Sequence, residues 1–323
     1  MGAPQARPLN SPDDASPLRG VYAALLIQVV ISAGTYLAAK RAMTELPPLT
    51  VVLWRFFLSG LVFLVLLLVL PGPKLPPRDA WRRIFILGLL AGPVNQVFFF
   101  SGLSRSTAAH GALLYALTPL GVYLLSLWRG QERASARTLV GIATAFVGVV
   151  VLLLGRGLAD ARGSMLGDVL ILGAVLAWVV YTTEGKPFVA VHGPLRATAW
   201  CMTMSTVLML PFAPFVANTD MLMAASTTAK GCIVYLGLLT SVVAYVLWYY
   251  ALSKVSASKV AIFSNLQPAA TALAAWLLLD EALHWEIAVG GVLVLAGVRL
   301  TQTVVARAPP TAPLLPVAGR PAT

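Results

Sequence analysis

Long apolar runs, separated by short polar, Gly- or Pro-containing segments, recur along the whole chain. Each run is close to the roughly 20 residues that a helix needs to cross the hydrocarbon core of a bilayer. The runs do not alternate as barrel strands do, and a backbone in lipid must satisfy its own hydrogen bonds. We therefore predict ten membrane helices, at about 18–40, 48–70, 82–101, 108–128, 137–155, 167–185, 195–215, 230–252, 258–279 and 286–306.

One stretch of this pattern occurs twice, 149 positions apart. Residues 87–119 read LGLLAGPVNQVFFFSGLSRSTAAHGALLYALTP, and residues 236–268 read LGLLTSVVAYVLWYYALSKVSASKVAIFSNLQP. The register is held by matching pairs of less common residues, namely Pro119 with Pro268, Glu132 with Glu281, Gly141 with Gly290 and Gly148 with Gly297. The first two helices of each half also correspond, at an offset of 146, because Lys40 matches Lys186. A repeat over this length predicts one unit duplicated.

The distribution of Lys and Arg predicts how the two units are oriented. If the N-terminus is cytoplasmic, most of the 23 Lys and Arg residues fall on cytoplasmic segments, as the positive-inside rule requires. Five helices per unit is an odd number, so the units face opposite ways. Such inverted repeats are frequent in secondary transporters, with the substrate site between them. We predict an all-α membrane protein with five-helix repeats at 18–155 and 156–306, and disordered cytoplasmic tails at 1–17 and 307–323.

The composition agrees with a membrane protein and weighs against other classes. The chain is 59% hydrophobic and 11% charged, which is typical of membrane helices rather than a soluble domain. Its net charge of +11 comes from basic residues that lie singly or in pairs at helix ends, so we expect no nucleic-acid partner. Cys201 and Cys232 lack metal-ligand spacing. No phosphate-binding loop or hydrolase motif is found, and we expect neither a cofactor nor an enzymatic activity.

Four stretches resemble the EamA-type members of the drug/metabolite transporter superfamily. Two are the repeated segments that start at Ser104 and Ser253, and the others are LPPLTVVLWRFFLSG and GDVLILGAVLAWVVYT. The resemblance covers about residues 18–305 and implies two EamA repeats of five helices each. It also implies an inner-membrane transporter, usually one that exports small metabolites or drugs. The ninth helix of the family often carries Leu-Glu-Pro, whereas this chain has Gln267 before Pro268, so a carboxylate that might serve in proton coupling is absent.

Polar and aromatic side chains within the predicted helices are our candidates for a substrate-binding cavity, because polar groups are costly in lipid. In the first helix, Gln28, Ser32 and Tyr36 share one face. The other candidates are Asn95, Gln96, Tyr115, Thr118, Trp178, Tyr181, Tyr245, Trp248, Asn265 and Gln267. For each of them the alternative is a hydrogen bond between helices or, for aromatic residues near helix ends, a place in the interfacial belt.

Two charged residues are further candidates. Arg55 lies about two turns inside the second helix, where it could bind a substrate carboxylate, make a structural hydrogen bond or extend to the outer interface. Glu184 lies near the end of the sixth helix, where it could couple transport to protons or pair locally beside Lys186.

Together these features predict a secondary transporter that exports small organic solutes, with amino-acid-like and aromatic solutes in its range, by alternating access. Its expected location is a bacterial-type inner membrane, as a monomer or homodimer, and its expected partners are the solute and the lipid bilayer. A non-transporting membrane scaffold or sensor, and a channel, are the alternatives that the sequence leaves open.

Overall fold

The computed structural model of the chain describes residues 15–105, 114–154, 165–267, 269–270 and 285–302, which are almost entirely helical and contain no strand. The first half contributes α1 (Ala15–Ala42), α2 (Pro48–Val69), α3 (Trp81–Leu89), α4 (Asn95–Leu103), α5 (Thr118–Trp128) and α6 (Ala136–Leu154). The second half contributes α7 (Met165–His192), α8 (Pro194–Met209), the short α9 (Ala213–Val216) and α10 (Thr219–Ala224), α11 (Thr227–Tyr235), α12 (Tyr245–Lys254), α13 (Ala257–Ala261) and α14 (Trp285–Gln302).

Six helical segments within the described residues are long and apolar enough to cross a membrane, judged by length and composition, and they are Arg19–Ala42, Pro48–Val69, Arg78–Leu103, Met165–His192, Pro194–Val216 and Thr227–Lys254. They coincide with six of the ten predicted helices. The fourth and ninth predicted helices extend into residues outside the described ranges. Pro268 and Glu281 also lie outside those ranges. Most of the predicted N-terminal tail and all of the C-terminal one also lie outside those ranges.

The surface of the bundle suits a lipid environment. Large apolar side chains point outward from the long helices, among them Val30, Leu68 and Leu176, each more than half exposed. Polar side chains such as Asn95 and Gln96 are buried inside instead. This is the reverse of a soluble protein and agrees with helices that face hydrocarbon.

A π-helical segment interrupts the same helix in each half. Leu90–Val94 separates α3 from α4, and Leu236–Ala244 separates α11 from α12. The two segments coincide at the 149-residue offset. Single π turns inside helices often occur at functional sites, and here they directly precede Asn95 and Tyr245, two of the predicted site residues.

Equivalent helices of the two halves pack in a reciprocal way. The second helices of the halves, α2 and α8, contact each other, and the fifth helices, α6 and α14, form an extensive contact. The third helix of each half packs on the first helix of the other, since α4 contacts α7 and α12 contacts α1. The halves are therefore interlocked, and their shared interior is built from both.

The α6–α14 contact shows the relative direction of two equivalent helices. A Cβ atom on Gly141 would lie 2.9 Å from the carbonyl oxygen of Gly297, and one on Gly148 would lie 2.7 Å from that of Gly290. Gly141 is equivalent to Gly290, and Gly148 to Gly297, so the contact is reciprocal and the helices run antiparallel. This is the close backbone approach that small residues allow between membrane helices.

Equivalent lysines cap equivalent helix ends. The Lys40 ammonium donates to the carbonyl oxygen of Leu103, at the end of α4, over 2.7 Å. The Lys186 ammonium donates to the carbonyl oxygens of Leu252 and Val255, at the end of α12, over 2.9 and 2.5 Å. A cation is favourable at a helix C-terminus, where carbonyl groups lack helical partners. These bonds fasten the first helix of each half to the third helix of the same half.

Candidate functional site

A cavity of about 630 Å³, counted to its open mouth, lies between the two halves of the bundle. Its wall comes mainly from α1, α2 and α4 of the first half and from α7, the second π segment and α12 of the second half, and the segments before α5 and after α13 complete it. The lining residues are Gln28, Ser32, Thr35, Tyr36, Arg55, Asn95, Gln96, Phe99, Tyr115, Trp178, Thr240, Ala244, Tyr245, Trp248, Ser264 and Gln267.

Most of the predicted site residues lie on this wall, including the entire predicted face of α1. Thr118, Tyr181 and Asn265 are fully buried but lie outside the lining set. The lining residues that were not predicted are Thr35, Phe99, Thr240, Ala244 and Ser264.

The repeat contains a signal for several of the missed residues. Phe99 holds the repeat position of Trp248, Ala244 that of Asn95, and Ser264 that of Tyr115. Carrying each candidate across the offset of 149 would have found all three.

A hydrogen-bonded network joins the halves across the cavity. The Gln96 Nε2 atom donates to the Tyr245 hydroxyl over 3.3 Å and to the side-chain oxygen of Asn95. The Tyr245 hydroxyl in turn donates to the carbonyl oxygen of Ala91 over 3.2 Å. Asn95 donates to the Tyr115 hydroxyl over 3.0 Å. The polar part of the wall is thus held in place by bonds between both halves.

Arg55 belongs to the same network. Its Nε and Nη2 atoms donate to the Ser241 hydroxyl over 3.0 and 2.8 Å, and its Nη1 atom donates to the Gln96 side-chain oxygen over 2.8 Å. Its guanidinium carbon also lies 5.6 Å and 5.5 Å from the ring centroids of Phe56 and Phe100. The residue is 1% exposed. The alternative that Arg55 extends to the membrane interface is therefore wrong, because neutral acceptors hold it inside.

Aromatic rings form another part of the wall. The Trp178 ring centroid lies 5.3 Å from that of Tyr245, in an edge-to-face arrangement, and 5.4 Å from that of Trp248. Behind them, outside the lining set, Tyr181 stacks on Tyr249 with centroids 5.0 Å apart. Such surfaces favour apolar or planar groups and can also hold cations.

Two buried polar atoms on the wall have no hydrogen-bond partner within the described part of the chain. They are Oε1 of Gln28, whose Nε2 atom donates to Ser32 over 2.8 Å, and Nε1 of Trp248. Buried polar groups are normally satisfied. An acceptor and a donor that line a cavity without partners are therefore suited to bind a solute.

Glu184 lies outside this cavity. Its carboxylate pairs with Arg129, at the end of α5, and lies 3.8 Å from an Nη atom of Arg83 in α3. A local pair was one of the two alternatives for this residue, but its partners are these arginines, since Lys186 caps α12. Among the described residues, no group of three or more His, Cys, Asp and Glu side chains could hold a metal ion.

Known proteins that resemble this chain are transporters by name. An uncharacterized transporter of Archaeoglobus fulgidus is 30% identical over 279 residues, which cover 86% of this chain and 95% of that relative. The uncharacterized transporter YyaM of Bacillus subtilis is 26% identical over 90% of this chain and 95% of its own. A probable terminal-alkyne amino-acid exporter of Streptantibioticus cattleyicolor is 29% identical over 71% of this chain and 75% of its own.

The fold is also found among solved structures. One crystal structure superposes with a TM-score of 0.71 over 88% of this chain and 99% of that chain, at 21% sequence identity. At this identity the likeness concerns the fold alone.

The family profile matches the chain in two segments. The profile described as the EamA-like transporter family matches residues 19–154 and again residues 165–303. The two-repeat architecture, the apolar helices and the names of the relatives all describe a multi-pass membrane transporter rather than an enzyme. The chain belongs to the EamA-like transporter family.

Proposed function

We propose that the chain is a secondary transporter that exports small organic solutes, amino-acid-like and aromatic ones among them, by alternating access of the cavity between its two repeats. The observation that carries this proposal is the composition of the cavity wall. Equivalent positions of both halves line it, and two of them, Gln96 and Tyr245, bond to each other. A site shared by inverted repeats can be exposed on either side as one half rocks against the other.

The packing supports such a movement. The halves contact each other through reciprocal helix pairs. The packing seen here therefore has a counterpart in which each half adopts the conformation that the other half has now. In inverted-repeat transporters this relation underlies the two access states. The proposal includes ten membrane helices, both termini in the cytoplasm and a monomer or homodimer in a bacterial-type inner membrane.

The lining chemistry and one relative support the substrate range. The wall combines neutral donors and acceptors with aromatic rings, and the one cation among its described residues is Arg55. The relative from Streptantibioticus cattleyicolor is named a probable exporter of an amino acid. We therefore place amino acids and related aromatic solutes first in any test.

Counterflow in proteoliposomes tests the proposal. Liposomes with the purified protein are loaded with one unlabelled amino acid at a time, and entry of the same labelled compound is followed. We expect entry that is saturable and faster with internal solute than without it. Entry that is no faster than in protein-free liposomes for every solute would contradict transport. Entry without saturation or stimulation by internal solute would indicate a channel.

A pair of neighbouring variants tests whether the cavity is the route. Gln28 lines the cavity, whereas Ile27, the preceding residue of α1, is 52% exposed on the outer surface. Gln28→Ala should slow counterflow severalfold, while Ile27→Ala should leave it near the wild-type rate. Equal rates in the two variants would remove this wall from the route.

A further inference from the structure

Arg55 is a buried cation without an acidic partner in the described residues. The ion pairs there join Arg41 to Glu45, and Arg83 and Arg129 to Glu184. None includes Arg55, whose bonds all go to the neutral side chains of Ser241 and Gln96. A buried charge is costly unless it is paired, so an unpaired arginine on a cavity wall requires an explanation.

The bonds of Arg55 leave two of its N–H groups unused. An arginine side chain has five N–H donors, and the three bonds to Ser241 and Gln96 occupy one each on Nε, Nη1 and Nη2. Two N–H groups remain, one on each Nη atom. Both can donate charge-assisted hydrogen bonds to carboxylate oxygens.

Arg55 has no charged equivalent in the second half of the protein. At the offset of 146, the position of Arg55 is taken by Cys201, which is buried and uncharged. The cavity is therefore polarised although its scaffold is repeated. A solute with an anionic end would bind in one direction, with that end at Arg55.

The remainder of the wall suits the rest of such a solute. The Gln28 side-chain oxygen is buried, has no partner among the described residues and can accept a hydrogen bond from an ammonium group. The rings of Trp178, Trp248 and Tyr245 can contact an apolar or aromatic side chain and attract a cation.

We propose that Arg55 is the carboxylate-binding residue of this transporter, and that its substrates are small monocarboxylates, above all α-amino acids with apolar or aromatic side chains. This inference rests on the proposed function and narrows it to one chemical class. Ser241 and Gln96 act as positioning residues, because they hold the guanidinium on the cavity wall with two N–H groups unused.

Matched pairs of acids and amides test this inference on the unmodified protein. The probes are L-phenylalanine with L-phenylalaninamide and L-leucine with L-leucinamide, and 3-phenylpropionate and phenethylamine test each end group alone. Each compound, unlabelled, competes with labelled L-phenylalanine in counterflow. We expect each amide to bind at least tenfold more weakly than its acid, and phenethylamine more weakly than 3-phenylpropionate.

Variants at Arg55 provide the second arm. Arg55→Gln should abolish the preference for acids, and Arg55→Lys should keep part of it, because lysine retains the charge but not the fork. Arg41→Gln, which removes an exposed arginine in the last turn of α1, should leave the preference unchanged. If Arg55→Gln does not fold, the comparison of acids and amides on the wild type still decides.

The outcomes separate the two proposals. Competition by the amides and the amine as strong as that by the acids would overturn the carboxylate site and leave the proposed transport function standing. An unchanged preference in folded Arg55→Gln would overturn it too. If no compound, with or without a carboxylate, moves faster than in protein-free liposomes, both proposals fail for these solutes.

Discussion

The Gln96 side chain donates a hydrogen bond of 3.3 Å to the hydroxyl of Tyr245, the residue that holds the same position in the other half of the chain. A residue can contact its own repeat equivalent only where the axis that relates the halves passes between them. Gly60 and Thr206, which match at the offset of 146, are also in contact. The axis therefore runs between α2 and α8 and through the polar wall of the cavity.

Removing the Tyr245 hydroxyl should weaken the link between the halves. Tyr245→Phe keeps the ring against Trp178 but removes the bond from Gln96 and the bond to the Ala91 carbonyl oxygen. Hydrogen bonds between membrane helices are worth about 0.6 kcal/mol each, so the loss of unfolding free energy should be near 1 kcal/mol. Counterflow should slow severalfold, because Gln96, which holds Arg55, loses its bond to the second half.

Tyr250→Phe is the matched control. Tyr250 lies in the same helix, is half-buried and does not line the cavity. We expect the loss of the Tyr250 hydroxyl to change neither the transport rate nor the midpoint of thermal unfolding by a measurable amount. Equal effects of the two variants on counterflow would show that the hydroxyl at position 245 has no special role.

The contact between α6 and α14 should tolerate no added atoms. A Cβ atom on Gly297 would lie 2.5 Å from the carbonyl oxygen of Gly141, whereas one on Gly291 of the same helix would have no neighbour within 4 Å. Gly297→Ala should therefore destabilise the protein by about 1–3 kcal/mol, the usual cost of overpacking. Gly291→Ala should be neutral or stabilise it by up to about 1 kcal/mol, because alanine favours a helix.

Thermal unfolding in detergent measures both glycine variants. The comparison is internal to α14, so lipid, detergent and helix propensity affect both variants alike. A stability loss that is the same for both variants would contradict the close approach of the two helices.

The two-repeat architecture could be predicted from the sequence because it depends on patterns that the chain repeats. The matching glycines of the two halves lie where α6 and α14 approach closely, and the predicted face of α1 lines the cavity as Gln28, Ser32 and Tyr36. Repeated spacing and helical periodicity are local properties, and one chain is enough to read them.

The rest depends on interactions that periodicity does not contain. A π turn adds a residue to a helical turn, so the faces assigned beyond Leu90–Val94 and Leu236–Ala244 shift from those of a regular helix. The direction of Arg55 is decided by Ser241 and Gln96, which are remote in sequence. The partners of Glu184 are likewise remote, because Lys186 bonds to carbonyls at the end of α12.

The connection between α1 and α2 should make stability depend on acid pH. The Glu45 carboxylate accepts hydrogen bonds from the backbone amide and hydroxyl of Ser226, over 2.7 and 2.8 Å, and from Arg41 over 2.6 Å. These bonds, led by the one from the Ser226 amide, lower the pKa of Glu45 to about 2. Because they require the ionised form, their stabilisation is complete above about pH 4.5, the ordinary pKa, and is lost as the pH falls towards 2.

Glu45→Gln should therefore lower the unfolding midpoint at pH 7, and the difference from the wild type should shrink between about pH 4.5 and 2. A gap between the wild type and Glu45→Gln that stays constant down to pH 2 would contradict the depressed pKa.

The ion pairs of Glu184 should contribute modestly to stability, and Glu184 should not couple transport to protons. Its carboxylate and the Arg129 side chain are 21% and 45% exposed, and pairs of this kind are worth about 0.2–1 kcal/mol. A double-mutant cycle of Glu184→Gln with Arg129→Gln should give a coupling energy in that range, smaller at high salt. The same cycle with Arg133→Gln, which removes a nearby arginine outside these ion pairs, should give none.

Because Glu184 does not line the cavity, Glu184→Gln should also keep the pH profile of wild-type counterflow, and a profile that became flat in this variant would show that Glu184 carries protons.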